Sequence, residues 1–415
     1  MVIVMTHLEK IKKYARLAVE KGVNIQQGQK LFITSSVDTV EFTRMIVKVA
    51  WERGAKDVIV RWTDEKVSRE RFLHGDEDIF GIEQKWLIEY INYVVEEGYQ
   101  FLAVRCDNPE IFKGADPQKI SKEMGAVGKV HKPLSDKMMT NSIQWNLVAV
   151  PSSEWASKVF PEAKTSEEAI EKMWEAIFYV NRIDDNDPIE NWNKHLEILA
   201  SQSKKLNDYK LKSLVYKNSI GTNLEIGLPK GHKWVGGSKQ AKTGNMFIAN
   251  IPTEEIFTTP HKDEVNGIVY STKPLIYMGN VIDDFWIKFE KGRATSYKAN
   301  IGHEFLEKMI TAHLNADFLG EVALVSQSSP ISKLGIVWYN ILYDENASCH
   351  LALGSAYSYT VADTDGLSED EKMAKGINQC LSHNDFMIGS ACMNIVGIKE
   401  DGKKVQIFEN GEWAI

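Results

Sequence analysis

Cysteine is scarce in this chain. Cys106, Cys349, Cys380 and Cys392 are the only four in 415 residues, and no two form a C-x-x-C pair. That scatter argues against a thiolate zinc site and against a disulfide-stapled secreted fold. Apolar runs of membrane-spanning length are also missing. The opening Met1-Val-Ile-Val-Met5 is apolar for only five residues before His7, Glu9 and Lys10. It is too short for a secretory segment, so a cytoplasmic chain with no membrane association is expected. There is no long basic block either; 57 acidic residues face 49 basic ones, for a formal net charge of −8. Nucleic-acid binding rests on clustered Lys and Arg neutralising phosphates, and is therefore not expected. The G-x-x-x-x-G-K-[ST] loop, a strand-linked G-x-G-x-x-G, G-x-S-x-G and H-E-x-x-H are all absent. Ser355, in Gly354-Ser-Ala, lacks the glycine pattern of a nucleophile elbow.

What is present is an ordinary globular composition, 43% apolar and 26% charged, in a length that favours two domains. His7 to Gly22 carries Leu8, Ile11, Tyr14, Ala15 and Ala18 at helical spacing and stops at a glycine. Lys30–Thr34 reads as a buried strand, Val40–Arg53 as a helix ended by Gly54, and Asp57–Trp62 as a second buried strand. Strand, helix and strand in that order make a βαβ unit, hence a parallel sheet. Gln100–Arg105 and Trp145–Val150 are further strand candidates, followed by helical patterns over Ser166–Val180 and Pro188–Lys205. Beyond about residue 205 short strands dominate: Leu211–Tyr216, Asn223–Ile226, Asn245–Asn250, Val269–Tyr277, Phe285–Phe289 and Ala294–Tyr297. Lys291-Gly292 marks a tight hairpin, and turns are expected at Glu400-Asp-Gly-Lys and Asn410-Gly-Glu. Helices in this half are expected at Glu304–Leu314 and Glu369–Gln379. The expected fold is an α/β N-terminal domain with a largely parallel sheet, residues 1–205, then an α+β, strand-rich C-terminal domain, residues 206–415.

The C-terminal half also gathers acids and histidines. Glu254 and Glu255 lie in Pro252-Thr-Glu-Glu-Ile-Phe; if the segment is extended they face opposite ways, so one of them serves a given site. Glu321 sits inside the apolar Leu319-Gly-Glu-Val-Ala-Leu, where an acid is costly unless a cation compensates it. Asp344, Glu345 and His350 share one short stretch, Tyr357 follows seven residues later, and His383 and Asp385 share a face of an extended His-Asn-Asp. Oxygen and imidazole donors without thiolate suit Zn²⁺, Co²⁺ or Mn²⁺ in a hydrolytic site. Two such ions, roughly 3.5–4 Å apart, can share a carboxylate and activate one water. Each feature has a plainer reading. A lone H-x-D is more often a hydrogen-bonded pair, Glu321 could pair with a buried arginine or lysine, and Glu254-Glu255 could be a solvated acidic patch. Phe257, Trp338, Tyr357 and Tyr359 could all be core aromatics.

Taken in order, five blocks resemble the thermophilic-type metallo-aminopeptidases, the aminopeptidase T, AmpS and PepS group. They are Asn250–Pro260, Asp317–Ala323, Leu342–His350, Leu353–Tyr357 and His383–Gly389, and the similarity spans nearly the whole chain. The resemblance implies a dinuclear site with two divalent metal ions per chain, zinc, cobalt, manganese or magnesium. It implies Glu255, Glu321, Glu345, His350, His383 and Asp385 as ligands, Glu321 bridging, with Glu254 the alternative to Glu255. It further implies Tyr357 as a catalytic residue stabilising the oxyanion, alongside catalytic Glu321. The implied reaction is release of N-terminal amino acids from peptides with a free N-terminus, by attack of a metal-bound hydroxide on the first peptide bond. A homodimer whose N-terminal domain helps to enclose the cavity is implied as well. Another dinuclear hydrolase, an amidase or phosphoesterase, and a non-catalytic α/β binding protein are the competing readings.

Overall fold

The computed structural model describes residues 6–106, 108, 110–277 and 280–415; Met1–Met5 therefore lie outside the described residues. The chain forms two compact units. One comprises the chain up to Lys194 together with Ser238–Pro252; the other comprises His195–Gly237 and Thr253–Ile415.

In the first unit four strands, Lys30–Ser36, Asp57–Thr63, Gln100–Arg105 and Trp145–Ala149, form one parallel sheet with Lys30–Ser36 between the second and third. Their apolar runs follow from cover on both faces: Leu31, Phe32 and Ile33 are all fully buried in succession. Helix Val40–Glu52 turns Phe42, Ile46 and Ala50 inward, the i, i+4, i+8 positions of one face. Helix Lys85–Glu96 does the same with Leu87, Ile91 and Val94. Helix His7–Leu17 begins with a reciprocal capping box, Thr6 with Glu9, and runs on as a wider turn to Gly22. The returning segment Ser238–Pro252 is part of this unit's core. Phe247 and Ala249 pack with Trp145 and Phe101. Leu147 N–H donates to Ala249 O at 2.7 Å, and Ile248 N–H donates to Gly22 O at 2.9 Å.

The second unit holds two antiparallel sheets. The larger runs from Leu275–Tyr277 through Asn280–Glu290, Val265–Tyr270, Asn223–Gly227, Leu211–Lys217, Asn394–Lys399 and Lys404–Glu409 to Glu412–Trp413, with Arg293–Ile301 hairpinned onto Asn280–Glu290. Lys291 and Gly292 both have positive φ, 48° and 85°, as the expected two-residue turn demands. The smaller sheet has the order His383–Met387, His350–Gly354, Leu319–Leu324, Ile256–Thr258, Val235–Gly236. Leu319, Val322, Leu324, Leu351, Leu353, Phe386 and Ile388 go into a common core with Tyr216, Ile226 and Phe285 of the larger sheet. Side chains alternate along a strand, so this packing turns Glu321, His350, His383 and Asp385 to the opposite face.

The expected fold class is the one observed: a parallel α/β sheet followed by a strand-rich antiparallel unit. Several element bounds differ. Val269–Tyr277 is broken at Ser271–Pro274, where Ser271 N–H turns to Phe285 O and Thr272 N–H to Met387 O. Of Asn245–Asn250 only Met246–Phe247 is strand; Ile248 N–H donates instead to Gly22 O, and Ala249 O accepts from Leu147 N–H. The helix from Glu369 stops at Ala374, ahead of Gly376 at φ 83°. Two short helices, Pro330–Leu334 and Ile341–Asp344, carry too few turns for their periodicity to be read.

Candidate metal centre

The centre is assembled on one face of three adjacent strands and the start of a fourth. Register places Glu321 opposite Ala352 and Ala352 opposite Asp385, so the two acids flank an alanine whose methyl group leaves the space between them open. One row along, Phe257, Ala323, His350 and Met387 align across four strands. Glu255 lies just ahead of the strand Ile256–Thr258, and its carboxylate meets His350 on this face. A register shift at Gly320 sets Glu321 in this alignment; a Cβ at Gly320 would lie 2.3 Å from Ser355 O. Gly354 closes the His350 strand at φ 105°, with Ser382 O only 2.1 Å from the position of an added Cβ. Both glycines are there because backbone passes too close for a side chain.

The donor atoms form two overlapping groups. Glu255, Glu321 and His350 bring ligand atoms within 4.8 Å of one another, and so do Glu321, His383 and Asp385. Glu321 belongs to both. His350 Nε2 lies 3.3 Å from Glu255 Oε2 and 3.7 Å from Glu321 Oε1. His383 Nε2 lies 3.3 Å from both Glu321 Oε2 and Asp385 Oδ1. Each imidazole is oriented by its other nitrogen: His350 Nδ1 is 3.1 Å from Ser348 O, and His383 Nδ1 is 2.7 Å from Ser355 O. A proton on Nδ1 donated to these carbonyls leaves Nε2 facing the acids, the arrangement that presents a histidine to a metal. Side-chain exposure is 1% for His350 and 22% for His383, so the second group is the one nearer solvent.

The electrostatics are those of an acid cluster in need of cations. Burial pushes the Glu255 carboxyl up, against the lowering effect of His350, and Glu321 adds to the rise. Burial raises Glu345 far above the usual carboxylate range, with Glu255 and Asp385 contributing repulsion. Glu321 is the exception: burial would raise it, but hydrogen bonds from His350 and His383 outweigh burial and hold it at about 2. Both histidines are held well above the usual imidazole value although burial opposes their charge, His350 by Glu255 and Glu321, His383 by Asp385 and Glu321. Glu255, Glu321 and Asp385 with two neutral imidazoles form a hard, oxygen-rich, thiolate-free donor set, which fits divalent cations of the zinc, cobalt or manganese kind.

The remaining candidates separate clearly. Glu254 points away from the cluster: its carboxylate lies 3.7 Å from His195 Nε2, which also contacts Thr253 O at 2.8 Å. Asp344 accepts from the N–H groups of Trp338 and Asn340 at 2.9 and 3.1 Å, so it braces a turn. Glu321 has no arginine or lysine at ion-pair distance among the described residues; its charged neighbours are the two histidines. Glu345 is outside both donor groups but close enough for its charge to be felt by them. The ring of Tyr357 packs 5.0 Å from that of His383 and 5.8 Å from Phe257, and Tyr359 sits 5.7 Å from Tyr357. Burial raises the Tyr357 phenol well above its usual value, and Glu321 and Asp385 add to the effect, so it stays protonated. Trp338 is fully buried and stacks on Tyr343 at 4.3 Å, a core role. His195 and Asn346 are polar, buried and unremarked in the sequence; the clue to Asn346 was its place beside Glu345.

Comparison with known proteins agrees with this geometry. The sequence profile of the thermophilic metalloprotease (M29) family matches residues 7–413. The chain is 41% identical to aminopeptidase AmpS of Bacillus subtilis and 42% identical to aminopeptidase 2 of Geobacillus stearothermophilus, over 98% of each chain. Aminopeptidase T of Thermus aquaticus is 34% identical over 98% of this chain and 99% of its own. The structure of wild-type AmpT from Thermus thermophilus superposes with a TM-score of 0.93 at 32% identity, covering 99% of this chain and all 100% of that one. With its acid and histidine face built on the same framework, this chain belongs to the thermophilic metalloprotease (M29) family.

Proposed function

We propose that the two donor groups form a dinuclear metal centre with which this metallo-aminopeptidase releases the first residue of peptides. The observation carrying the reading is that Glu321 belongs to both groups, as a bridging carboxylate must. Glu255 and His350 hold one cation in this reading, His383 and Asp385 the other, and Glu345 completes the set. When bound, the cations supply Lewis acidity and lower the pKa of a water in the site.

The protein's own groups account for the remainder. The hydrogen bonds at Nδ1 fix both imidazoles, so the donor atoms need no rearrangement on loading. Tyr357, held protonated beside the acids, donates its phenolic hydrogen to the oxygen that becomes negative as the peptide carbonyl is attacked. A carboxylate of the cluster takes the proton of the attacking water and returns it to the leaving amine. We further propose that the enzyme works as a cytoplasmic homodimer, with the metal chemistry confined to residues from 206 onward.

Elemental analysis of the purified protein, then chelation and add-back, tests the centre. About two divalent ions per chain and loss of aminoacyl-anilide turnover on chelation are expected. Glu321→Gln should lower the metal content and abolish turnover. A metal-free protein, a fully active Glu321→Gln variant, or turnover of phosphoryl substrates alone would overturn the reading.

A further inference from the structure

Asn346 is fully buried, and its side-chain amide ties together the two segments that bring Glu255 and Glu345 to the centre. Its Oδ1 accepts the backbone N–H of Glu254 at 2.8 Å. Its Nδ2 donates to Leu342 O at 3.1 Å and reaches Glu345 Oε1 at 3.4 Å. The first bond anchors the backbone at Glu254, where the chain leads into strand Ile256–Thr258. In such a segment a slip of one residue exchanges the faces, so this contact helps to decide that Glu255 faces the cluster and Glu254 faces His195. The second bond holds the turn that carries Glu345, and the third faces its carboxylate. A neutral amide is the side chain suited to this place. It offers an acceptor to one segment and two donors to the other, and adds no charge.

We infer that Asn346 is the positioning residue that sets the spacing of Glu255 and Glu345 and thereby the affinity of the centre for its metals. The inference rests on the metal-centre reading above. Partners of this kind, acting through the ligands, typically change metal affinity 10–100-fold.

The test compares the parent, Asn346→Ala and Asn346→Asp by titrating chelator-stripped protein with Zn²⁺ against a competing chelator, after circular dichroism shows each to be folded. Asn346→Asp keeps the shape and the acceptor for Glu254 N–H but sets a carboxylate against Glu345. Weaker Zn²⁺ binding by 10-fold or more in the folded variants, with kcat recovering at saturating Zn²⁺, is the expected result. The aspartate variant guards the outcome should the alanine variant not fold. An added negative charge beside a cation site would tighten binding if Asn346 were a bystander. Parent-like or tighter Zn²⁺ binding by Asn346→Asp therefore overturns the inference. A parent that takes up no Zn²⁺ instead overturns the metal-centre reading, so the two failures are told apart.

Discussion

Tyr357 is the residue whose chemistry can be tested with least disturbance. Its hydroxyl is set among carboxylates, and its ring is held independently by Phe257, Tyr359 and His383. Tyr357→Phe should keep the packing and the metals while losing about 10²–10³ in kcat, the usual cost of one oxyanion donor. Steady-state kinetics with metal analysis on the same sample checks this, and loss of metal would make Tyr357 structural. The histidines give a second prediction. In the metal-free protein His350 and His383 keep their protons well above the ordinary imidazole range. Raised values of this kind stabilise the folded state fully below about pH 6.5, and the stabilisation is lost as pH rises through the folded values. Chelated protein should therefore melt at falling temperature from neutral to alkaline pH. Loading requires neutral imidazoles, so metal uptake at pH 7 should release protons, and the apparent affinity should rise with pH. Calorimetric titration in buffers of different ionisation enthalpy measures the release; uptake without proton release would contradict it.

At the scale of the element, the site depends on how strands end and shift. The acid standing inside the apolar run Leu319–Leu324 was visible in the sequence, as was the shared face of His383 and Asp385. What the sequence left open was register. Glu321, Ala352 and Asp385 align only because the pairing shifts at Gly320. Replacing Gly354 tests this, since an alanine there meets Ser382 O and must hold φ near 105°. Gly354→Ala should destabilise the protein by about 1–3 kcal/mol, the usual size of such backbone strain. The loss is expected to weaken metal binding too, because the same backbone carries His350 at one end and leads to Tyr357 at the other. Thermal melts with and without metal check both effects; an unchanged Tm would show that the loop accommodates the methyl group. The choice between Glu254 and Glu255 was another matter of register. Both readings satisfy the motif, and the structure separates them by what each carboxylate meets, His195 or His350.

For the whole molecule, the returning segment Ser238–Pro252 is the feature with the largest consequence. Phe247 is 1% exposed and lies 6.2 Å from Trp145 in the core of the first unit, although it follows Gly237 of the second in the chain. Phe247→Ala should therefore cost about 3–5 kcal/mol and loosen the parallel sheet. Hydrogen exchange would show lost protection in Lys30–Ser36, Gln100–Arg105 and Trp145–Ala149; loss confined to the metal-bearing strands would refute it. The sequence by itself determined the two fold classes, because hydrophobic period is a local property that needs no knowledge of neighbours. It also held the acids, histidines and tyrosine of the proposed centre, together with their order. Only the tertiary structure decided which atoms meet: Glu321 shared between two groups, Glu254 turned away, Asp344 spent on backbone amides, and residues 238–252 returned to the first unit's core. These outcomes depend on strand register and on contacts between residues far apart in the chain. Local spacing does not encode them, because one residue's slip along a strand exchanges every face.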